Sequence, residues 1–103
     1  MAIEVYQVTG AFPASEKFNL TSQMNRAVVS IGSNIGEGAG HSSNPEFIRF
    51  LHYASGSCTE LITQLTIAER LGFTSSGVAT VLLEKAQAVH RMIFALIKRL
   101  HSE

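Results

Sequence analysis

The chain has 103 residues, of which 46% are hydrophobic, and its eight Lys and Arg residues are balanced by eight Glu residues, with no Asp. This length and composition predict one domain with enough apolar residues to build a core. A formal net charge of zero provides no overall field that would attract nucleic acid or an anionic membrane.

The cysteine content and the apolar runs of the sequence bear on its expected compartment. Cys58 is the only cysteine, which excludes an intramolecular disulfide framework and suits a reducing compartment. The N-terminus has no basic region followed by an apolar run, and no uncharged segment is long enough to span a bilayer. We therefore expect a cytoplasmic protein with no membrane partner.

The N-terminal part of the chain predicts a short helix, a connector and then a long helix. Residues 2–9 form the short helix, although Ile3, Val5 and Tyr6 also favour a strand. Residues 10–19 are the connector, and the second helix covers residues 20–38. Its apolar residues follow one another at helical spacing: Leu20, Met24, Ala27, Val28, Ile31 and Ile35.

Glycines inside the second helix need an explanation. Gly32 and Gly36 each cost roughly 1 kcal/mol relative to alanine in a helix interior. We expect a neighbouring helix to approach the backbone closely at these two positions. Between Gly38 and Gly40 the helix should end in a left-handed glycine cap.

Two heptad ladders dominate the rest of the chain. After a loop in which Ser43 or Asn44 can cap the next helix, residues 45–71 form the third helix, and residues 77–101 form the fourth. The ladder of the third helix comprises Phe47, Leu51, Ala54, Cys58, Leu61, Leu65 and Ala68. The ladder of the fourth comprises Ala79, Leu82, Ala86, Val89, Ile93, Leu96 and Leu100.

These elements predict an all-α, antiparallel up-down-up-down four-helix bundle in residues 1–103, with a short first helix. The short helix would cover only the end of the bundle near Leu20, Leu65 and Leu82. Four ladder residues at the other end would lack a fourth wall: Phe47, Leu51, Ile93 and Leu96. Because Phe50, Phe94 and Ile97 also lie off the ladders, we expect them to form a homo-oligomer interface.

The second helix carries a family resemblance. Residues 20–38, from Leu20-Thr21-Ser22-Gln23 to Ile35-Gly36-Glu37-Gly38, resemble the signature of the four-helix-bundle proteins encoded in intervening sequences of bacterial 23S ribosomal RNA genes. Later segments are similar as well, namely residues 46–51, 54–57, 60–61, 64–65 and 71–73, and Tyr6 with Phe12-Pro13 fits the end of the family's first helix. The resemblance covers nearly the whole chain.

This resemblance implies a bundle that assembles as a homopentameric ring, and it assigns no reaction. The related accessory protein of diversity-generating retroelements is a basic pentamer that binds nucleic acid. Here the first helix is shorter than is usual in the family, and Asn25, His41 and Ser55 occupy positions that are often arginine. Losing three cations weakens the implied link to phosphate.

A polar stripe on the second helix is one candidate site. Arg26, Ser30, Asn34 and Glu37 follow one another at spacings of four, four and three residues. The stripe could line a groove for a ligand or RNA, or it could hold hydrogen bonds that fix helix register or a subunit contact. Arg49 lies one short loop away and is an expected partner for Glu37.

A second candidate is the basic end of the last helix. Arg91, Lys98 and Arg99 could contact phosphates, or they could form a solvated helix end whose cations favour the helix dipole. No aromatic residues alternate with these charges in the manner of a single-strand platform.

The sequence lacks the patterns of phosphate-binding, metal-binding and nucleophilic catalytic sites. The glycines of residues 32–40 are not followed by the Lys-Ser/Thr of a phosphate loop. No Glu has a His three residues later, as di-iron bundles require, so no metal or cofactor is expected. Asp is absent and no nucleophile elbow occurs. The sequence therefore predicts a non-catalytic self-assembling bundle, with a nucleic-acid-binding accessory protein or a small-molecule-binding bundle as alternatives.

Overall fold

The chain forms four α-helices in a computed structural model that describes residues 1–103. The helices are α1 (Ala2–Thr9), α2 (Leu20–Ala39), α3 (Asn44–Arg70) and α4 (Ser76–His101), and a 3₁₀ turn spans Ala14–Glu16 between α1 and α2. No strand is present, which excludes the strand alternative for residues 2–9. The predicted all-α bundle with a short first helix is confirmed.

α3 is the central helix of the bundle. It packs against α2 on one side and α4 on the other, while α1 packs on α2. The Asn44 side chain donates a hydrogen bond of 3.4 Å to the backbone carbonyl of Leu100, which joins the start of α3 to the end of α4. Short loops and this end-to-end contact make the neighbouring long helices antiparallel.

The two heptad ladders form the middle of the core. Every ladder residue of α3 is buried except Phe47, which is half-buried. Every ladder residue of α4 is buried except Val89 and Leu96, which are also half-buried. Met24, Val28 and Ile31 of α2 complete the same cluster. One continuous core therefore runs along the three long helices.

The end of the bundle opposite α1 is more closed than the sequence predicts. Leu51 is 0% exposed and Ile93 is 3% exposed, so the expectation that they lack a covering wall is wrong. Ile97 is also buried, at 5% exposure, and it does not lie on the surface as expected. The reason is that α2 supplies Ile31 and Ile35 at this end, and α4 buries Ile97 in addition to its ladder residues.

The glycines of α2 do not behave as predicted. A methyl group built on Gly32 or Gly36 would meet nothing within 4 Å, so no helix of the same chain approaches them. Gly38 is the close contact instead, because an added Cβ would lie 2.8 Å from Phe50 Cβ and 2.9 Å from Phe47 Cδ1. The predicted left-handed cap is also wrong, since Gly40 is right-handed at φ −77°.

Side chains and one left-handed glycine define the ends of α3 and α4. Ser43 and Ser75 each accept a backbone N–H at the N-terminus of α3 and α4, respectively. At the end of α3, Gly72 has φ +76°, and the Phe73 N–H donates to the Ala68 carbonyl at 2.9 Å. This is a Schellman motif, and it carries Phe73 against the ring of Phe12.

α1 is held at one end of the bundle by two polar contacts and a buried valine. Val5 is fully buried, and the Thr9 hydroxyl donates a hydrogen bond of 2.8 Å to Asn25 Oδ1 in α2. Glu4 forms an ion pair with Lys85 of α4. α1 thus bridges α2 and α4. In none of the helices is there a stretch long and apolar enough to cross a bilayer.

Candidate functional site

The middle of the predicted polar stripe is a hydrogen-bonded joint between two helices. Asn34 Nδ2 donates to the Ser30 carbonyl at 2.9 Å and to Ser30 Oγ at 3.0 Å. From α3, the Ser57 hydroxyl donates to Ser30 Oγ at 2.9 Å. Because these groups satisfy one another, this part of the stripe fixes the register of α2 against α3, and the groove alternative has little free polar surface here.

Glu37, at the C-terminal end of the stripe, and its expected partner Arg49 take no part in this joint. Glu37 approaches His41 at 3.8 Å, and Arg49 pairs with Glu46 at 2.8 Å, so the expected Glu37–Arg49 pair does not form. An i,i+3 partner on the same helix is already within reach of Arg49 and needs no loop to bring it close. The hydrogen bond to Glu46 raises the pKa of the Arg49 guanidinium.

Arg26, at the N-terminal end of the stripe, has no carboxylate partner. It is exposed, and no ion pair or side-chain hydrogen bond involves it. Arg26 borders a small cleft of about 160 Å³ with Ser30, Ser57 and Glu60. On its other side it borders a larger groove, which sequence reasoning missed.

That larger groove lies between α1, the connector and α2, and we call it the α1–α2 groove. Its volume is about 560 Å³, and its eight lining residues include no carboxylate. The residues that line it are Tyr6, Lys17, Phe18, Thr21, Ser22, Asn25, Arg26 and Val29. The sequence feature that could have indicated this groove is Phe18. It is an apolar residue outside both ladders and was predicted only to lie in a connector.

The basic end of α4 is exposed as a group. Arg91, Lys98 and Arg99 all lie on the surface, and none forms an ion pair. No carboxylate occurs in the sequence between Glu84 and Glu103. These three cations therefore have no carboxylate partner within the chain.

The three predicted interface residues occupy different environments. Phe94 is 46% exposed and meets the His90 ring edge-on at 4.9 Å between centroids. Phe50 is half-buried between α2 and α3, stacked on His41 at 5.2 Å. Ile97 lies in the core. The sequence set is therefore not one surface, and only Phe94 is widely accessible.

The structure also contains a contact between Ser55 and His90 that the sequence did not predict. Ser55 is 7% exposed, and its Oγ lies 3.1 Å from His90 Nε2 across α3 and α4. No carboxylate hydrogen-bonds the other ring nitrogen of His90. In a catalytic triad such a carboxylate orients the imidazole and stabilises its protonated form. The sequence feature that could have indicated this contact is the position of Ser55 directly after the ladder residue Ala54. There Ser55 lies on the side of α3 that faces α4.

Cys58 and the acidic residues form no metal centre. The Cys58 thiol is completely buried, and burial raises its pKa. No three His, Cys or Glu side chains come together as a metal site would need.

Comparison with known proteins places this fold. Residues 1–95 match the family model described as 23S rRNA-intervening sequence protein. One similar solved structure is a protein of unknown function from the S23 ribosomal protein family of Bacteroides thetaiotaomicron VPI-5482. It is 21% identical, the match covers 94% of this chain and 88% of that one, and the TM-score is 0.83. That likeness shows a shared fold. No curated protein matches the chain.

Proposed function

This chain belongs to the family of 23S rRNA-intervening sequence proteins, and within that family we propose a non-catalytic helical bundle that works as a homo-oligomer. The family resemblance implies a ring of five copies. The lone, buried thiol of Cys58 supports a reducing, cytoplasmic setting, because the fold has no disulfide to lose.

The observation that carries this proposal is the apolar surface left after all four helices have packed. Outside the α1–α2 groove, large apolar side chains remain exposed, with Ile3 at 75% and Met92 at 62%. On the second half of α4, Met92, Ala95 and Leu96 border a shallow depression of about 290 Å³, together with Arg99. Adjacent apolar side chains left at the surface, as on this part of α4, are typical of a protein interface.

Glycine placement on α2 supports the same proposal. Gly32 and Gly36 are exposed, and a Cβ built on either would meet nothing within 4 Å. Each glycine costs about 1 kcal/mol relative to alanine in a helix interior. Since no helix of the same chain uses that space, we assign it to close packing by a helix of another copy.

The non-catalytic part of the proposal rests on the polar groups. The Ser55–His90 contact lacks an orienting carboxylate, and Ser55 is nearly inaccessible. The polar stripe uses its central groups for helix register. No remaining cluster combines a nucleophile, a base and an orienting group in the manner of known hydrolases.

The proposal is tested by charging the depression on α4. Met92→Glu places a carboxylate in the apolar surface, and Gln87→Glu is its control, since Gln87 is an exposed polar residue on the same helix. Light scattering after gel filtration should give a smaller particle for Met92→Glu and an unchanged particle for Gln87→Glu. If both variants keep the wild-type mass, this surface is not the subunit contact.

A second candidate function is nucleic-acid binding by the basic end of α4. It is favoured by Arg91, Lys98 and Arg99, which are exposed and unpaired on a stretch without carboxylates. Replacing all three by Gln should abolish a mobility shift with structured RNA at low salt, since phosphate contacts supply most of such affinity. Arg70→Gln, an exposed and unpaired cation on α3, is the control. An unchanged shift in the triple variant would exclude this end of α4.

A further inference from the structure

We infer that the α1–α2 groove is a binding site for single-stranded nucleic acid, in which bases stack on Phe18 and Tyr6 and phosphates lie beside Lys17 and Arg26. All of these residues belong to one protomer, so the inference does not depend on self-association. It is also separate from the basic end of α4, whose cations would contact phosphates without stacking.

The aromatic rings of the groove are exposed and have no aromatic neighbour. Phe18 is 86% exposed and Tyr6 is 49% exposed. Neither ring packs against another aromatic ring, whereas Phe12, Phe50, Tyr53, Phe73 and Phe94 all do. An exposed ring face accepts any base, because every base has a π surface.

The cations of the groove form no ion pair within the chain. Lys17 and Arg26 have no carboxylate within 4.0 Å, in contrast to Arg49 and Lys85. The Lys17 ammonium lies over one face of the Phe18 ring, 5.6 Å from its centre, so a base would stack on the opposite face. The phosphate next to a stacked nucleoside would meet this charge.

Hydrogen-bonding groups line the space between rings and cations. The side chains of Thr21 and Ser22 form no hydrogen bond within the chain, and Asn25 uses only its Oδ1, which accepts the Thr9 hydroxyl. The Asn25 amide N–H groups are therefore free to donate to a base carbonyl or a phosphate oxygen.

This set of groups fits one ligand class best. A duplex keeps its bases stacked on one another and cannot offer them to Phe18 and Tyr6. A purely apolar subunit contact would use the rings but leave Lys17 and Arg26 without partners. Single-stranded nucleic acid uses the rings, both charges and the amide donors together.

The first experiment uses the absence of tryptophan from the chain. Phe18→Trp introduces one fluorescent reporter into the groove. Leu71→Trp is the control, because Leu71 is 59% exposed beside a cation, Arg70, elsewhere on the surface. Far-UV circular dichroism checks that both variants keep the fold. At low salt, oligo(dT) and oligo(rU) should quench the fluorescence of Phe18→Trp with saturation and leave that of Leu71→Trp nearly unchanged.

A second measurement uses a labelled oligonucleotide and needs no tryptophan. By anisotropy, Phe18→Ala should weaken binding about 5- to 150-fold relative to wild type, the range expected for one lost base stack. Arg26→Gln should lower the salt slope of log K by about 0.7, the value for one phosphate contact of a single strand.

Three results would overturn the inference. The first is no quenching of the Phe18→Trp variant at low salt, and the second is equal quenching of Phe18→Trp and Leu71→Trp. The third is emission from Phe18→Trp that shifts with protein concentration and does not respond to oligonucleotide, which would assign the groove to a subunit contact.

Discussion

The Ser57 hydroxyl donates a hydrogen bond of 2.9 Å to the Ser30 hydroxyl, and this is the only side-chain hydrogen bond that links α2 to α3. Ser30 also accepts from Asn34 one turn further along α2. Apolar side chains of both helices hold α2 and α3 together. The serine pair specifies a single register.

Removing this pair should lower stability modestly. Ser57→Ala deletes the donor, and we expect the free energy of unfolding in urea to fall by about 1 kcal/mol, the usual value of one net hydrogen bond. Ser33→Ala, an exposed serine of α2 without a hydrogen bond, should lie within about 0.5 kcal/mol of wild type. Equal effects of the two substitutions would mean that the pair is not a joint.

Gly38 should tolerate no side chain. Gly38→Ala brings a methyl group to 2.8 Å from Phe50 Cβ, and the overpacking should cost about 1–3 kcal/mol of unfolding free energy. Gly56→Ala is the matched control, since Gly56 is inside α3 with nothing within 4 Å, and alanine there should stabilise by about 0.5–1 kcal/mol. The account of Gly38 fails if both variants become more stable.

The end of the bundle opposite α1 should behave as a true core. Leu51 is fully buried, so Leu51→Ala should lower the free energy of unfolding by about 2–5 kcal/mol. Leu71→Ala removes the same atoms from a side chain that is 59% exposed, and it should change stability by less than about 0.5 kcal/mol. A small effect of Leu51→Ala in thermal or urea unfolding would instead support the expectation that this end of the bundle is uncovered.

The Glu4–Lys85 ion pair should make the docking of α1 depend on pH. The hydrogen bond from Lys85 lowers the pKa of the Glu4 carboxyl below its ordinary value of 4.5. A carboxyl with a depressed folded pKa contributes its full stability above the unfolded value and loses it as the pH falls through the folded value.

This sign gives a direct comparison of melting temperatures. On acidification from neutral pH to below 4.5, the wild type should lose more thermal stability than Glu4→Gln, which has no carboxyl to protonate. Glu84→Gln removes an exposed carboxylate of α4 that forms no ion pair, and its pH dependence should follow the wild type. Parallel pH profiles for all three proteins would show that the pair contributes nothing.

The fold class was predictable because its determinants are periodic. The ladder from Phe47 to Ala68 specifies one face of one helix, and burial of that face requires other helices. Ser43 and Gly72 mark the ends of α3 by local chemistry that a sequence displays directly. None of this needs knowledge of how the helices are rotated about their axes.

The candidate sites were less predictable because they depend on that rotation. Gly32, Gly36 and Gly38 look alike in sequence, yet only Gly38 faces α3. Ile97 lies one position off a ladder, and the rotation of α4 turns it into the core. Tyr6 and Phe18 both line the α1–α2 groove only because α1 docks on α2, a contact between segments that share no sequence period.

The most direct test of self-assembly is the mass of the unmodified protein in solution, measured by native mass spectrometry across micromolar concentrations. The account predicts a defined multiple of the 11.2 kDa protomer, with five copies as the expected number. A single species of 11.2 kDa at every concentration would contradict it.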